Sequence, residues 1–201
     1  MINLGPGKGH VLVVGTTQSG KSKFVADKLL PCYPVWVVID SKRQDNYWTG
    51  SGGYTVWTPE QLAQSLLSGH NKIHYAMRPL QWDRRVEEID NIAEICLRAG
   101  PVALIIDEAS HFMTGGFVPP NVEKFVTSSM GKGGTLIVTS QRPSTIINKT
   151  LVSQCLHIFM GYLCPREITP DLKRWLPVNH IPEWKSYQFM YTGPDGKAKH
   201  V

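Results

Sequence analysis

Apolar residues fall along this chain in short runs of two kinds. Segments 11–14 (VLVV), 35–39 (VWVVI), 102–106 (VALII), 135–138 (TLIV) and 157–162 (HIFMGY) are nearly unbroken and rich in β-branched or aromatic residues. Strands covered on both faces read this way, because neither face meets water. Between them the period lengthens. Residues 21–30 read as a helix stopped by Pro31. Thr58 is placed as an N-cap, with Pro59 at the first helical position, Gln61 three residues on and Gly69 at the far end. Val86, Ile89, Ile92, Ala93 and Cys96 share one stripe of a longer helix that begins near Asp83 and closes at Gly100. Two further helices are predicted over 121–130, after Pro119-Pro120, and over 144–155, behind Pro143. The tail differs: 187–192 (YQFMYT) alternates, Gly-Pro-Asp-Gly turns, and 197–201 returns as an edge hairpin.

Strands alternating with helices imply right-handed crossovers and a three-layer α/β sandwich around a mostly parallel sheet. The 50–53 stretch (GSGG) reads as a loop too short to divide domains, so residues 1–201 are expected to form a single domain. Charged residues make up only 18% against 42% apolar, which argues against a disordered or coiled-coil chain. There is no run of about 18 apolar residues, so no transmembrane segment is expected. The opening lacks the layout of a signal peptide. Lys plus Arg (21) exceed Asp plus Glu (16), giving a net charge of +5 that permits a polyanionic partner. Cys32, Cys96, Cys155 and Cys164 have no zinc spacing and read as thiols of a reducing compartment.

The strongest chemical signal is Gly15-Thr16-Thr17-Gln18-Ser19-Gly20-Lys21-Ser22, which fits G-x-x-x-x-G-K-[ST] in full, after a strand and before a helix. Successive backbone N–H groups of such a loop turn inward toward phosphate oxygens. Glycine at 15 and 20 admits backbone angles and approaches that a Cβ obstructs. The following helix N-terminus favours anions. Lys21 would reach the β- and γ-phosphates of ATP, and the Ser22 hydroxyl would join the shell of Mg²⁺.

A second signal is the strand 102–106 running into Asp107-Glu108. By itself the pair fits a helix N-cap as well as a catalytic pair. Beside a phosphate loop the catalytic reading prevails: a strand next to the loop ends this way in P-loop NTPases. Asp107 then holds Mg²⁺, and Glu108 orients and deprotonates a water. A water-activating carboxylate favours hydrolysis over transfer to a small-molecule acceptor. A third polar tip, Thr139-Ser140-Gln141-Arg142-Pro143-Ser144, closes the 135–138 strand at the same carboxyl edge. From there Gln141 could bond the γ-phosphate or the attacking water.

GTTQSGKS, VALIIDE and TSQRPS, in that order, resemble the FtsK–HerA superfamily of DNA-pumping ATPases, over roughly residues 10–165. The third motif is the discriminating one. Asp40-Ser41-Lys42 also looks like the family's D-x-K after the second strand. The resemblance implies that Lys21 and Ser22 bind nucleotide and Mg²⁺, that Asp107 and Glu108 form the acidic pair and that Gln141 is the sensor. It also implies an arginine finger from a neighbouring subunit, for which Arg84 and Arg85 are favoured over Arg98 and Arg142, and hence a homo-oligomeric ring, hexameric rather than pentameric.

A bare motor of this size looks like the genome-packaging ATPases of icosahedral viruses with an internal membrane, of the Sulfolobus turreted icosahedral virus type. That likeness implies double-stranded DNA as cargo, a capsid vertex or membrane protein as dock, and the cytoplasm of an infected cell, or the virion, as location. Lys132, the 114–117 loop, Lys197 and Lys199 are candidate DNA contacts. Competing readings are a morphogenesis ATPase of the filamentous-phage type, a small-molecule kinase and a nucleotide switch without turnover.

Overall fold

The period-two alternation inside each apolar run sends side chains to two cores, one on each face of a single sheet. In β1 (Val11–Val14), Val11 and Val13 enter one cluster and Leu12 and Val14 the other. In β5 (Ala103–Asp107), Ala103 and Ile105 oppose Leu104 and Ile106 in the same manner. The structure, a computed structural model, describes residues 4–43, 46–114, 116–141, 149–163 and 187–201, with the side chains of 46, 47 and 149 excepted. The start of the expected 144–155 helix, Arg142 and Cys164 lie outside the described residues.

The remaining strands are β2 (Trp36–Asp40), β3 (Tyr54–Val56), β4 (Lys72–Ala76), β6 (Thr135–Ser140), β7 (His157–Met160), β8 (Met190–Thr192) and β9 (Ala198–His200). They form one sheet in the order β3-β4-β2-β5-β6-β1-β7-β8-β9, parallel as far as β7 and antiparallel across β8 and β9. The three-layer sandwich and the C-terminal hairpin are therefore as expected. Two strands were not anticipated. β3 is three residues long, and β4 (KIHYA) mixes Lys, His and Tyr into a segment buried from Ile73 onward, so neither shows a continuous apolar run. The expected neighbour relation also changes, because β6 lies between β1 and the acidic strand β5.

Helix α3 (Pro59–Leu67) begins and ends as its sequence signals require, with one difference. The Thr58 side chain accepts from Gln61 N–H, whereas Gln61 Oε1 accepts from Trp57 N–H rather than from Thr58. At the other end Gly69, at φ 83°, donates to Leu66 O, and His70 N–H donates to Ser65 O, a Schellman closure. α4 (Trp82–Ala99) buries Ile89, Ile92, Ala93 and Cys96, while Val86 is half-buried. α5 (Pro120–Ser128) and α6 (Lys149–Gln154) complete that layer, α4 against α5 and α5 against α6. Short α2 (Asn46–Gly50) drops Trp48 into the opposite core, ahead of the 50–53 loop.

The helix after β1 departs from a simple rod. α1 (Lys21–Phe24) opens into a π-helical stretch, Val25–Leu29, and tightens into a 3₁₀ turn, Leu30–Cys32, that contains Pro31. Proline lacks an N–H and resists a helix interior, but it is accommodated at the start of a turn. Among the described residues no helix is long and apolar enough to cross a membrane.

Candidate active site

Strand register decides which loops meet. Asp40 lies opposite Asp107 across β2–β5, Ile106 opposite Val138 across β5–β6, and Val14 opposite Ser140 across β6–β1. The carboxyl ends of β2, β5, β6 and β1 therefore line up along one edge. The Asp40-Ser41-Lys42 turn, the Asp107-Glu108 pair, Gln141 and the phosphate loop all leave the sheet there. Together they line a cleft of about 260 Å³ whose walls include Thr17, Gln18, Gly20, Lys21, Ser22, Lys42, Asp107, Glu108 and Gln141.

The phosphate loop is held by its backbone. Gly15 N–H donates to Ser140 O (3.1 Å), Thr16 N–H to Tyr162 O (2.7 Å) and Ser19 N–H to Thr16 O (3.2 Å). A Cβ on Gly15 would stand 2.6 Å from Ser19 Oγ, and Gly20 adopts φ 90°, so both glycines are required by geometry. Lys21 folds back over this ring, its Nζ donating to Gly15 O (2.9 Å) and Thr16 O (3.0 Å). Burial pushes its pKa down to about 8, although Glu108 and Asp107 pull the other way. Among the described residues Ser19 Oγ is buried without a hydrogen-bond partner.

The facing wall is built from side chains. The Thr139 hydroxyl donates to Asp107 Oδ1 (2.7 Å) and accepts from Glu108 N–H (2.9 Å), which fixes the two carboxylates relative to β6. Glu108 sits at φ 57°, ψ 62°, a left-handed conformation costly for a side-chain-bearing residue. Its Oε1 accepts from Ser110 Oγ (2.6 Å) and Gln141 N–H (2.9 Å), and its Oε2 faces Lys42 Nζ at 3.4 Å. Burial alone raises the proton affinity of Glu108. The bonds from Ser110 and Gln141 and the charges of Lys42 and Lys21 outweigh it, so the carboxyl is held below its ordinary pKa. The Gln141 side chain reaches the other wall, where Thr17 Oγ1 donates to its Oε1 (2.7 Å).

Of the candidate arginines, the three among the described residues, Arg84, Arg85 and Arg98, lie elsewhere. Arg84 is exposed and pairs with Glu87 (2.9 Å), while Arg85 donates to Leu80 O (2.6 Å). Neither lines the cleft of its own chain. Arg98 pairs with Glu94 (2.5 Å) near the opposite end of the 18-residue α4. Of the candidate DNA contacts, Lys132 precedes β6 and so stands at the sheet edge opposite the cleft, whereas Lys199 lies on β9 with its ammonium 5.1 Å from the Tyr191 ring.

Four participants carry no assigned role in the sequence reading: Lys42, Thr139, Ser110 and Tyr187. The first two stand inside quoted motifs. Tyr187 gives no local signal. It donates its N–H to Ser19 O (3.1 Å), and its ring covers Gly20 so closely that a Cβ there would meet Tyr187 Cδ1 at 2.4 Å.

This strand order, with G-x-x-x-x-G-K-S after β1 and Asp-Glu after β5, defines a three-layer P-loop NTPase fold. Among solved structures, the genome packaging NTPase B204 from Sulfolobus turreted icosahedral virus 2, in complex with ATP-gammaS, superposes with a TM-score of 0.70 at 20% identity, covering 96% of this chain and 97% of that one. The DNA-packaging ATPase B204 from Sulfolobus turreted icosahedral virus gives 0.69 at 20% identity, with 98% of each chain covered. ATPases 2 and 3 of EssC from Geobacillus thermodenitrificans give 0.64 at 11% identity, covering 96% of this chain and 39% of that one. The likeness drawn from the motifs thus extends to the fold. No protein-family profile and no curated protein sequence matches the chain.

Proposed function

We propose that this chain is an ATP-hydrolysing motor that translocates double-stranded DNA and packages a viral genome into a preformed capsid. The observation that carries the reading is the convergence of Lys21, Glu108 and Gln141 on one cleft, in a chain whose fold matches packaging NTPases along nearly its whole length.

In this reading the triphosphate lies in the phosphate loop against Gly15 to Ser22, with Lys21 leaving the Gly15 and Thr16 carbonyls for the β- and γ-phosphates. Water attacks the γ-phosphorus. A new P–O bond forms, the bond to the β-bridging oxygen breaks, and Glu108 takes the water's proton as ADP and phosphate separate. The Ser22 hydroxyl and the Asp107 carboxylate are hard oxygen donors lining the same cleft. That donor set suits Mg²⁺, which takes few protein ligands and fills its shell with phosphate oxygens and water. Held by Ser22 and Asp107, the ion would supply positive charge to offset that of the phosphates. Gln141, already bridging to Thr17, reports on the terminal phosphate.

Residues 1–201 act as one motor domain of a hexameric ring in the infected cell's cytoplasm. Arg84 and Arg85, outside their own cleft, serve a neighbour's. Doping a small fraction of an Arg84→Ala, Arg85→Ala chain into wild type then lowers activity by more than that fraction; proportional loss removes the trans role.

The decisive measurement is ATP hydrolysis with and without duplex DNA, alongside duplex binding across salt concentrations. We expect stimulation by duplex and binding that weakens as salt rises. Hydrolysis indifferent to DNA, with no salt-dependent binding, overturns the motor.

A further inference from the structure

Lys42 is a second cation lining the cleft of Lys21 and Ser22, and the turn that carries it is held from several sides. Asp40, 1% exposed, accepts Lys42 N–H (3.0 Å) and Arg43 N–H (2.9 Å) on Oδ1 and binds His74 Nε2 (3.2 Å) through Oδ2. Ser41 Oγ lies 3.1 Å from His111 Nδ1, which ties the next residue to the far side of β5. The turn is thereby anchored to β4 and to the segment after β5. Its lysine projects into the cleft that also contains Lys21 and Ser22.

The partner of that lysine matters more than its position. Glu108 Oε1 already accepts two donors, Ser110 Oγ and Gln141 N–H. Oε2 is the oxygen left to take a proton from water, and Lys42 Nζ sits 3.4 Å from it. A terminal phosphate entering beside Lys21 brings a stronger concentration of negative charge than one carboxylate, and an ammonium on a flexible stem can turn toward it. ADP brings no such group.

Resting on the nucleotide site proposed above, the geometry points to Lys42 as an exchange switch: it leaves Glu108 Oε2 for the γ-phosphate, so the base is released only when a triphosphate is bound. Lys42 then contacts the substrate, discriminates ATP from ADP, and keeps Glu108 occupied in the absence of a hydrolysable ligand.

The test is a double-mutant cycle read by calorimetric binding of ATP-gammaS and of ADP. Lys42→Ala is expected to weaken ATP-gammaS by about 10- to 100-fold and to leave ADP within about twofold. Unchanged ADP affinity also certifies that the variant folds. Glu108→Gln frees Lys42 from its ion pair and should tighten ATP-gammaS, a gain that shrinks several-fold when Lys42 is already alanine. Equal losses for the two nucleotides, no loss for either, or an undiminished Glu108→Gln gain in the Lys42→Ala background overturns the switch while leaving the nucleotide site standing. Wild-type protein that binds neither nucleotide overturns the site itself, and the switch with it.

Discussion

The phosphate loop and the carboxylate wall face each other across one cleft but are made differently. The loop is consecutive in sequence and held by backbone bonds, among them Gly15 to Ser140, Thr16 to Tyr162 and Ser19 to Thr16. The wall draws Asp40 and Lys42 from β2, Asp107 and Glu108 from β5, and Thr139 and Gln141 from β6, joined through side chains. The first design fixes shape by peptide geometry and tolerates change at its non-glycine positions. The second depends on several of its groups finding partners on another strand, so a single deletion there leaves another buried group unsatisfied.

Substitutions can break that contrast in turn. The largest effect falls on hydrolysis: Glu108→Gln keeps nucleotide binding but slows turnover by about 10²- to 10⁴-fold. Phosphate release at the wild-type rate would remove the base assignment. Next, Lys21→Ala weakens ATP binding by about 100-fold, measured by titration. The same change relieves a buried ammonium whose pKa is depressed to about 8, so ligand-free protein should gain roughly 1 kcal/mol in thermal unfolding. A loop that loses stability instead would show Lys21 to be a structural strut.

Thr139→Val tests the opposite wall. It strips Asp107 of a donor and Glu108 N–H of an acceptor, at a cost of about 2–4 kcal/mol, read as a fall in Tm of roughly 5–15 °C. An isosteric valine that leaves Tm unchanged would show the wall to be as self-supporting as the loop.

The smallest effect is a pH dependence far from the cleft. His10 Nε2 donates to Val126 O (2.7 Å) and Nδ1 accepts Leu136 N–H (2.8 Å), so the buried ring is neutral. Burial lowers its pKa from 6.5, with the Val126 bond pulling back. Below that value the unfolded chain binds the proton that the folded chain refuses. The stabilising contribution is thus complete above pH 6.5 and is lost as pH falls toward the folded value. We expect Tm to drop by a few degrees between about pH 7 and pH 5, and a variant without the imidazole to lose that part of the slope.

What was legible in the sequence follows the same division. The loop could be read because its function needs residues at fixed spacing, and β1, β2, β5 and β6 because both faces of each are buried. β4 escaped notice because His74 and Tyr75 are buried through polar contacts, to Asp40 and Glu88, which apolar periodicity does not register. Asp107, Glu108 and Gln141 were visible as polar tips on apolar strands. Their partners were not: Ser110 meets Glu108 only through the left-handed turn after β5, and Thr139 meets Asp107 only because strand order sets β6 beside β5. The place of β6 between β1 and β5 could not be inferred either, since strand order is settled by how layers pack rather than by any one segment.

The contact between Tyr187 and the loop has a mechanical meaning. One peptide N–H ties the segment that leads into the carboxy-terminal hairpin to Ser19, and a phenol ring lies across Gly20. The tail and the phosphate loop thus share one packed seam, so a side chain added at Gly20 would have to displace Tyr187 as well.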